Sequence, residues 1–148
     1  LRTHGAPDHI AALQAHRCSA YRNPGTGNVV PWRFRVGEDE VEQLVVPALC
    51  TNDETLELHA VLAGKVIGQL AGLMAGPYIR SGQLVPLLVE HVSDRASYFV
   101  YYGSKMAQPA RVRAFIDLAI ARLTNNVEHV LSARELEAAA RASRILKA

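Results

Sequence analysis

Between residues 44 and 70 the sequence changes its periodicity twice, and this change limits the fold more than any other feature. Leu44 to Cys50 is a compact apolar run carrying Val45 and Val46, the pattern of a buried strand, with Pro47 placing it toward an edge. Thr51-Asn52-Asp53-Glu54 then has the Thr-x-x-Glu spacing of a capping box. The helix it opens is expected to run to about Ala63, with Leu56, Ala60 and Ala63 on the inner face and Val61 nearby, and Gly64 stops it. Val66 to Leu70 is a second short buried strand. Strand, helix and strand in this order, with apolar residues on both strand faces, predict an α/β fold with a mostly parallel sheet.

The rest of the chain continues the alternation. Asp8 is placed to cap a short helix through about Ala15, turning Ile10 and Leu13 inward. Cys18 to Tyr21 is a strand candidate, followed by the turn cluster Asn23-Pro24-Gly25-Thr26-Gly27-Asn28. Trp32, Phe34 and Val36 alternate with Arg33 and Arg35, the period of a strand with one buried face. Glu38 to Glu42 reads as a solvated acidic turn, and Gly72 to Gly76 as a small-residue connection before Pro77. Ser97 to Tyr102 is an aromatic-rich strand. Pro109 suits a helix start, and Val112, Phe115, Ile116, Ala119, Ile120 and Leu123 then follow helical spacing. Ser132 and Glu135 form a second capping-box pattern ahead of an alanine-rich helix to about Leu146.

Charge and cysteine usage narrow the function classes. The 148 residues carry a formal charge of only +2, and the basic side chains are scattered among acids, so no face reads as a nucleic-acid surface. Cys18 and Cys50 are far apart, which argues against a disulfide framework and for a reducing compartment. No apolar run reaches the roughly 18 residues that span a bilayer, and no signal peptide is recognisable, so a cytoplasmic location without membrane contact is expected.

No catalytic constellation is visible, and no metal or cofactor is expected. His16-x-Cys18 lacks the second ligand pair that structural zinc needs. Gly64-Lys65 lacks the rest of a phosphate-binding loop, and no serine sits in a nucleophile elbow. Two segments have binding chemistry instead. The helix start at Thr51-Asn52-Asp53 points amides and a dipole at any anion there, although Asp53 and Glu54 compete for the same place. The Asn23–Asn28 cluster is either a plain turn or an anion-binding nest.

Five local patterns, in order, resemble the effector-binding domain of LysR-type transcriptional regulators. They are His4-Gly5, Pro7 and Leu13-x-x-His16-x-Cys18; Tyr21, a glycine-rich loop and Trp32-x-Phe34; Asn52-Asp53, a helix and Ala63-Gly64-x-x-Ile67-Gly68; Gly82-x-Leu84-Val85-x-Leu87-Leu88; and Arg111-x-Arg113-x-Phe115-x-Asp117. The resemblance covers about residues 1 to 123. It departs from the family at Gly64-Lys65-Val66-Ile67-Gly68, where Gly-Leu-Gly is usual, and at Gln69-Leu70, where Leu-Pro is usual. It implies a two-lobed, periplasmic-binding-protein-like (type 2) fold truncated at its N-terminal side. Residues 1–94 would form the second lobe, 95–123 the strand and helix returning to the first, and 124–148 an extra helical tail. A small, anionic effector would sit between the lobes, with Thr26, Asn28, Thr51, Asn52 and Gln69 lining the cleft. DNA would be contacted only by a helix-turn-helix outside this chain, and a homo-oligomer is expected. The rival reading is a solute-binding protein of a transport system on the same fold.

Overall fold

The computed structural model describes residues 5–93, 109–123, 126, 128 and 130–145. Its centre is the strand β1 (Cys18–Tyr21), whose first three residues are wholly buried. β1 pairs in parallel with β4 (Pro47–Thr51), in the register Ser19 to Leu49, Ala20 to Cys50 and Tyr21 to Thr51. On the other flank Ser19 N–H donates to the Ile67 carbonyl at 2.8 Å and Ile67 N–H to the Arg17 carbonyl at 2.8 Å, a second parallel contact. The residues on both sides of β1 are joined through helix α1 (Glu54–Leu62), as the alternation of periods requires.

A hairpin packs beside this unit. β2 (Trp32–Val36) buries Trp32 and Phe34 and exposes Arg33 and Arg35, the expected alternation. The acidic stretch read as a turn is instead the strand β3 (Asp39–Gln43), antiparallel to β2. The turn is only Gly37-Glu38, and Gly37 takes φ 64°, as a two-residue hairpin with glycine first requires. β3 needs no apolar face because its partner supplies charge: Arg33 lies opposite Glu42, 3.4 Å apart, and Arg35 opposite Glu40. Leu13, Cys18, Ala20, Trp32, Phe34, Val45 and Leu88 form the core, with Trp32 Nε1–H donating to the Ser19 carbonyl at 3.2 Å.

Several boundaries move from their sequence expectations. The first helix is a 3-10 turn, Ile10–Ala15; it has no side-chain cap, because Asp8 bonds His9 instead. β4 starts at Pro47, where the missing N–H is harmless, and of the preceding residues only Val45 is buried while Val46 stays 76% exposed. Val66–Leu70 contributes a single bridge at Ile67 rather than a strand. α1 turns Glu57 and Leu58 inward and leaves Leu56 outside, because its apolar residues are spread around the helix and mark no face. Gly64 ends α1 at φ 66°, with Gly64 N–H on the Val61 carbonyl and Lys65 N–H on that of Ala60, a Schellman closure.

Gly72–Gly76 belongs to helix α2 (Gly72–Arg80), which accommodates Pro77 and buries Ala75 and Gly76. Helix α3 (Ala110–Leu123) follows the expected spacing but buries only Ile116. Helix α4 (Ala133–Ile145) opens on the expected capping box, with Ser132 N–H donating to Glu135 Oε2 at 2.8 Å and Glu135 N–H to Ser132 Oγ at 3.3 Å. Arg80 fastens this helix to α2, donating to Glu135 Oε1 at 2.9 Å and to the carbonyls of Glu128 and Val130. The strand expected at Ser97–Tyr102 lies outside the described residues, as does His4 of the first motif.

Candidate functional site

Open parallel sheets place ligands beyond the carboxyl ends of their strands. Here that end is built by the last residues of β1 and β4 and the two segments that leave them. Tyr21 pairs with Thr51, and Arg22 N–H donates to the Thr51 carbonyl at 2.7 Å, so the two exits are directly bonded. Thr51 and Asn52 leave from β4, and the loop with Thr26 and Asn28 leaves from β1. Thr51 is buried, while Thr26, Asn28 and Asn52 are exposed. Gln69 lies on the flank of β1 opposite β4. Both ends of its amide are engaged: Oε1 accepts from Arg33 N–H at 3.0 Å, and Nε2 donates to the Arg33 carbonyl at 2.7 Å.

The backbone amides at this end are largely spoken for. Asp53 caps α1, its Oδ1 accepting from Thr55 N–H at 2.8 Å and Leu56 N–H at 3.2 Å, while Asp53 N–H donates to Thr51 Oγ1 at 3.0 Å. The capping side chain is therefore Asp53 and not Thr51, and it fills its own helix terminus with negative charge. In the loop, Asn23 Oδ1 accepts from Gly25 and Thr26 N–H, Gly27 N–H donates to the Asn23 carbonyl, and Asn28 N–H to Thr26 Oγ1. The cluster is thus a self-satisfied turn rather than an open nest, and side chains are what this end presents to a ligand.

One of those side chains escaped the sequence reading. Arg22 follows β1 directly, and its Nη1 donates to the Gly27 carbonyl at 2.7 Å, holding the guanidinium against the loop. A cation next to a strand exit that faces a helix start is the signal that locates it. A separate groove of about 410 Å³ lies between α2 and α4, walled by Ile79, Leu84, Val85 and Ala138. None of the five predicted residues lines it, and its one cation, Arg80, is bound to Glu135.

Other chemistry is sparse. No group of three His, Cys, Asp or Glu side chains among the described residues is arranged to hold a metal. Cys18 and Cys50 are free thiols; burial pushes the Cys18 thiol up, which leaves it protonated and inert. No helix among the described residues is long and apolar enough to cross a membrane.

Comparison with known proteins identifies the family. Residues 1–124 match the LysR substrate binding domain. The chain is 30% identical over 129 residues to the HTH-type transcriptional regulator CrgA of Neisseria meningitidis serogroup C (strain 8013), covering 86% of this chain and 42% of that protein. It is 31% identical over 114 residues to the HTH-type transcriptional regulator YcaN of Escherichia coli (strain K12), covering 77% of this chain and 36% of the relative. It is 28% identical over 135 residues to an HTH-type transcriptional regulator of Xanthomonas campestris pv. campestris (strain 8004), covering 89% and 39%. The chain thus spans about two fifths of the length of these relatives. With parallel strands at its centre and the family's match running to residue 124, the chain belongs to the LysR substrate binding domain family, the periplasmic-binding-protein-like sensing domain of LysR-type transcriptional regulators.

Proposed function

We propose that this chain senses a small anionic effector at the carboxyl end of β1 and β4, for a regulator that contacts DNA through a helix-turn-helix outside these residues. Thr26, Asn28, Thr51 and Asn52 contact the effector, Arg22 supplies the counter-charge, and Gln69 borders the cleft through its hold on β2. The observation that carries this reading is the bond between Arg22 N–H and the Thr51 carbonyl, which joins a cation, a buried hydroxyl and two exposed amide side chains at one sheet end. Thr51 Oγ1 already accepts from Asp53 N–H, so its own hydrogen is what it offers an anion. The effector acts by binding one arrangement of the two lobes better than another, and a bound molecule without that difference shifts nothing. The chain is expected to form a homo-oligomer and to reside in the cytoplasm.

Calorimetric titration with a panel of small carboxylates and phosphates tests the proposal. Arg22→Gln is expected to weaken the best binder about 10- to 100-fold, the loss of one charge-assisted hydrogen bond of about 1.5–3 kcal/mol. Binding should also weaken as salt rises. Anion binding that is untouched by Arg22→Gln and by Thr51→Val would contradict the site, and exclusive preference for uncharged ligands would contradict the charge.

A further inference from the structure

Glu57 is the one carboxyl side chain buried among the described residues, only 3% exposed, and neither the effector site nor the fold's ion pairs use it. It projects from the first turns of α1 into the point where three elements meet. From β1, Ser19 presents its hydroxyl, with Oγ 2.5 Å from Glu57 Oε1 and 3.3 Å from the Ile67 carbonyl. From the 66–68 stretch comes the Ile67 carbonyl, and the backbone at Gly68 is pressed so close that a Cβ there would lie 2.7 Å from Val61 Cγ2 and 3.0 Å from Ser19 Oγ. The charged group acting on Glu57 is Glu54 of the same helix, an acid; neither β1 nor the 66–68 stretch brings a cation to it among the described residues.

A buried carboxylate needs a cation or several donors to repay its lost hydration. Glu57 has one hydroxyl. As a carboxylic acid the same geometry makes two hydrogen bonds: Glu57 O–H donates to Ser19 Oγ, and the Ser19 hydroxyl hydrogen goes to the Ile67 carbonyl. We propose that folded Glu57 keeps its proton to higher pH than an ordinary carboxyl does, and that this proton latches α1 to β1 and the 66–68 stretch. Burial pushes its proton affinity up, and Glu54 adds to this, against the Ser19 hydrogen bond that favours the ionised form. An acid whose proton affinity rises on folding stabilises the fold fully below its unfolded pKa, and that contribution is lost as pH rises through the folded value. A rise of pH through that folded value therefore loosens α1, the helix whose N-terminal end adjoins Thr51 and Asn52.

Carbon-detected NMR titration of the glutamate carboxyls in the intact chain reads this directly, with a glutamate model peptide as the reference. The Glu57 midpoint is expected above the ordinary glutamate value, and Glu57→Gln should flatten the profile of melting temperature against pH on the side above that value. A Glu57 midpoint at or below the ordinary glutamate value would overturn the proposal. The titration needs only the wild-type chain, so it decides even if Glu57→Gln fails to fold.

Discussion

Two glycines four residues apart serve different physical needs. Gly64 sits at φ 66° with nothing within 4 Å of where a Cβ would stand, so its requirement is purely conformational. Gly64→Ala should cost about 1 kcal/mol through backbone strain alone. Gly68 has no such φ, and a Cβ there would collide with Val61 and crowd Ser19. Gly68→Ala should cost about 1–3 kcal/mol through overpacking, and it should disturb the Glu57–Ser19 contact while Gly64→Ala leaves it intact. Urea unfolding of both variants checks this: the midpoints should fall with unchanged slope, further for Gly68→Ala. Equal losses would mean that the 66–68 backbone can retreat from α1. The Gly64 stop was legible in the sequence because a helix end has a local rule. The Gly68 contact was not, since it depends on how α1 and β1 pack against this stretch.

At the scale of elements, what could be read depended on whether the controlling interaction is local. β2 declared itself by alternation, α4 by its Ser132/Glu135 box, and both formed where expected. β3 escaped because its partner's charges and not its own apolar residues hold it, and α2 because glycine and proline counted as breakers. α1 was placed correctly but rotated wrongly, since its inward face is chosen by Ser19 and not by its own pattern. The α4 box also carries an ion pair to α2, and the backbone N–H of Ser132, then Arg80, hold the Glu135 carboxyl down at about 2. A carboxyl with lowered pKa stabilises above its unfolded value and loses that effect as pH falls through the folded one. The docking of α4 should therefore persist through neutral and mildly acidic pH and fail toward pH 2. Arg80→Ala should release α4 already at neutral pH, read as loss of amide protection in residues 133–145 with the β1–β4 amides unchanged. Retained protection there would show that apolar contacts alone hold the helix.

For the whole molecule, the contrast between a closed centre and an open periphery matters most. β1 is buried from both flanks, whereas α3 leaves Phe115 66% exposed, with Leu118, Ile120 and Leu123 also open. At about 25 cal/mol per Å² of apolar surface, covering several such side chains gains several kcal/mol, comparable to a small domain's stability. The chain alone should therefore self-associate at micromolar concentration, and Phe115→Asp should reduce the mass seen by light scattering; a monomer at all concentrations would contradict this. The proposed sensing site lies where β1 and β4 release their loops side by side. The most direct test is amide chemical-shift mapping of the isotope-labelled chain titrated with the tightest-binding carboxylate of the panel. The predicted shifts cluster at Arg22, Thr26, Asn28, Thr51 and Asn52. Saturable shifts confined to the groove between α2 and α4, with these residues silent, would contradict the account.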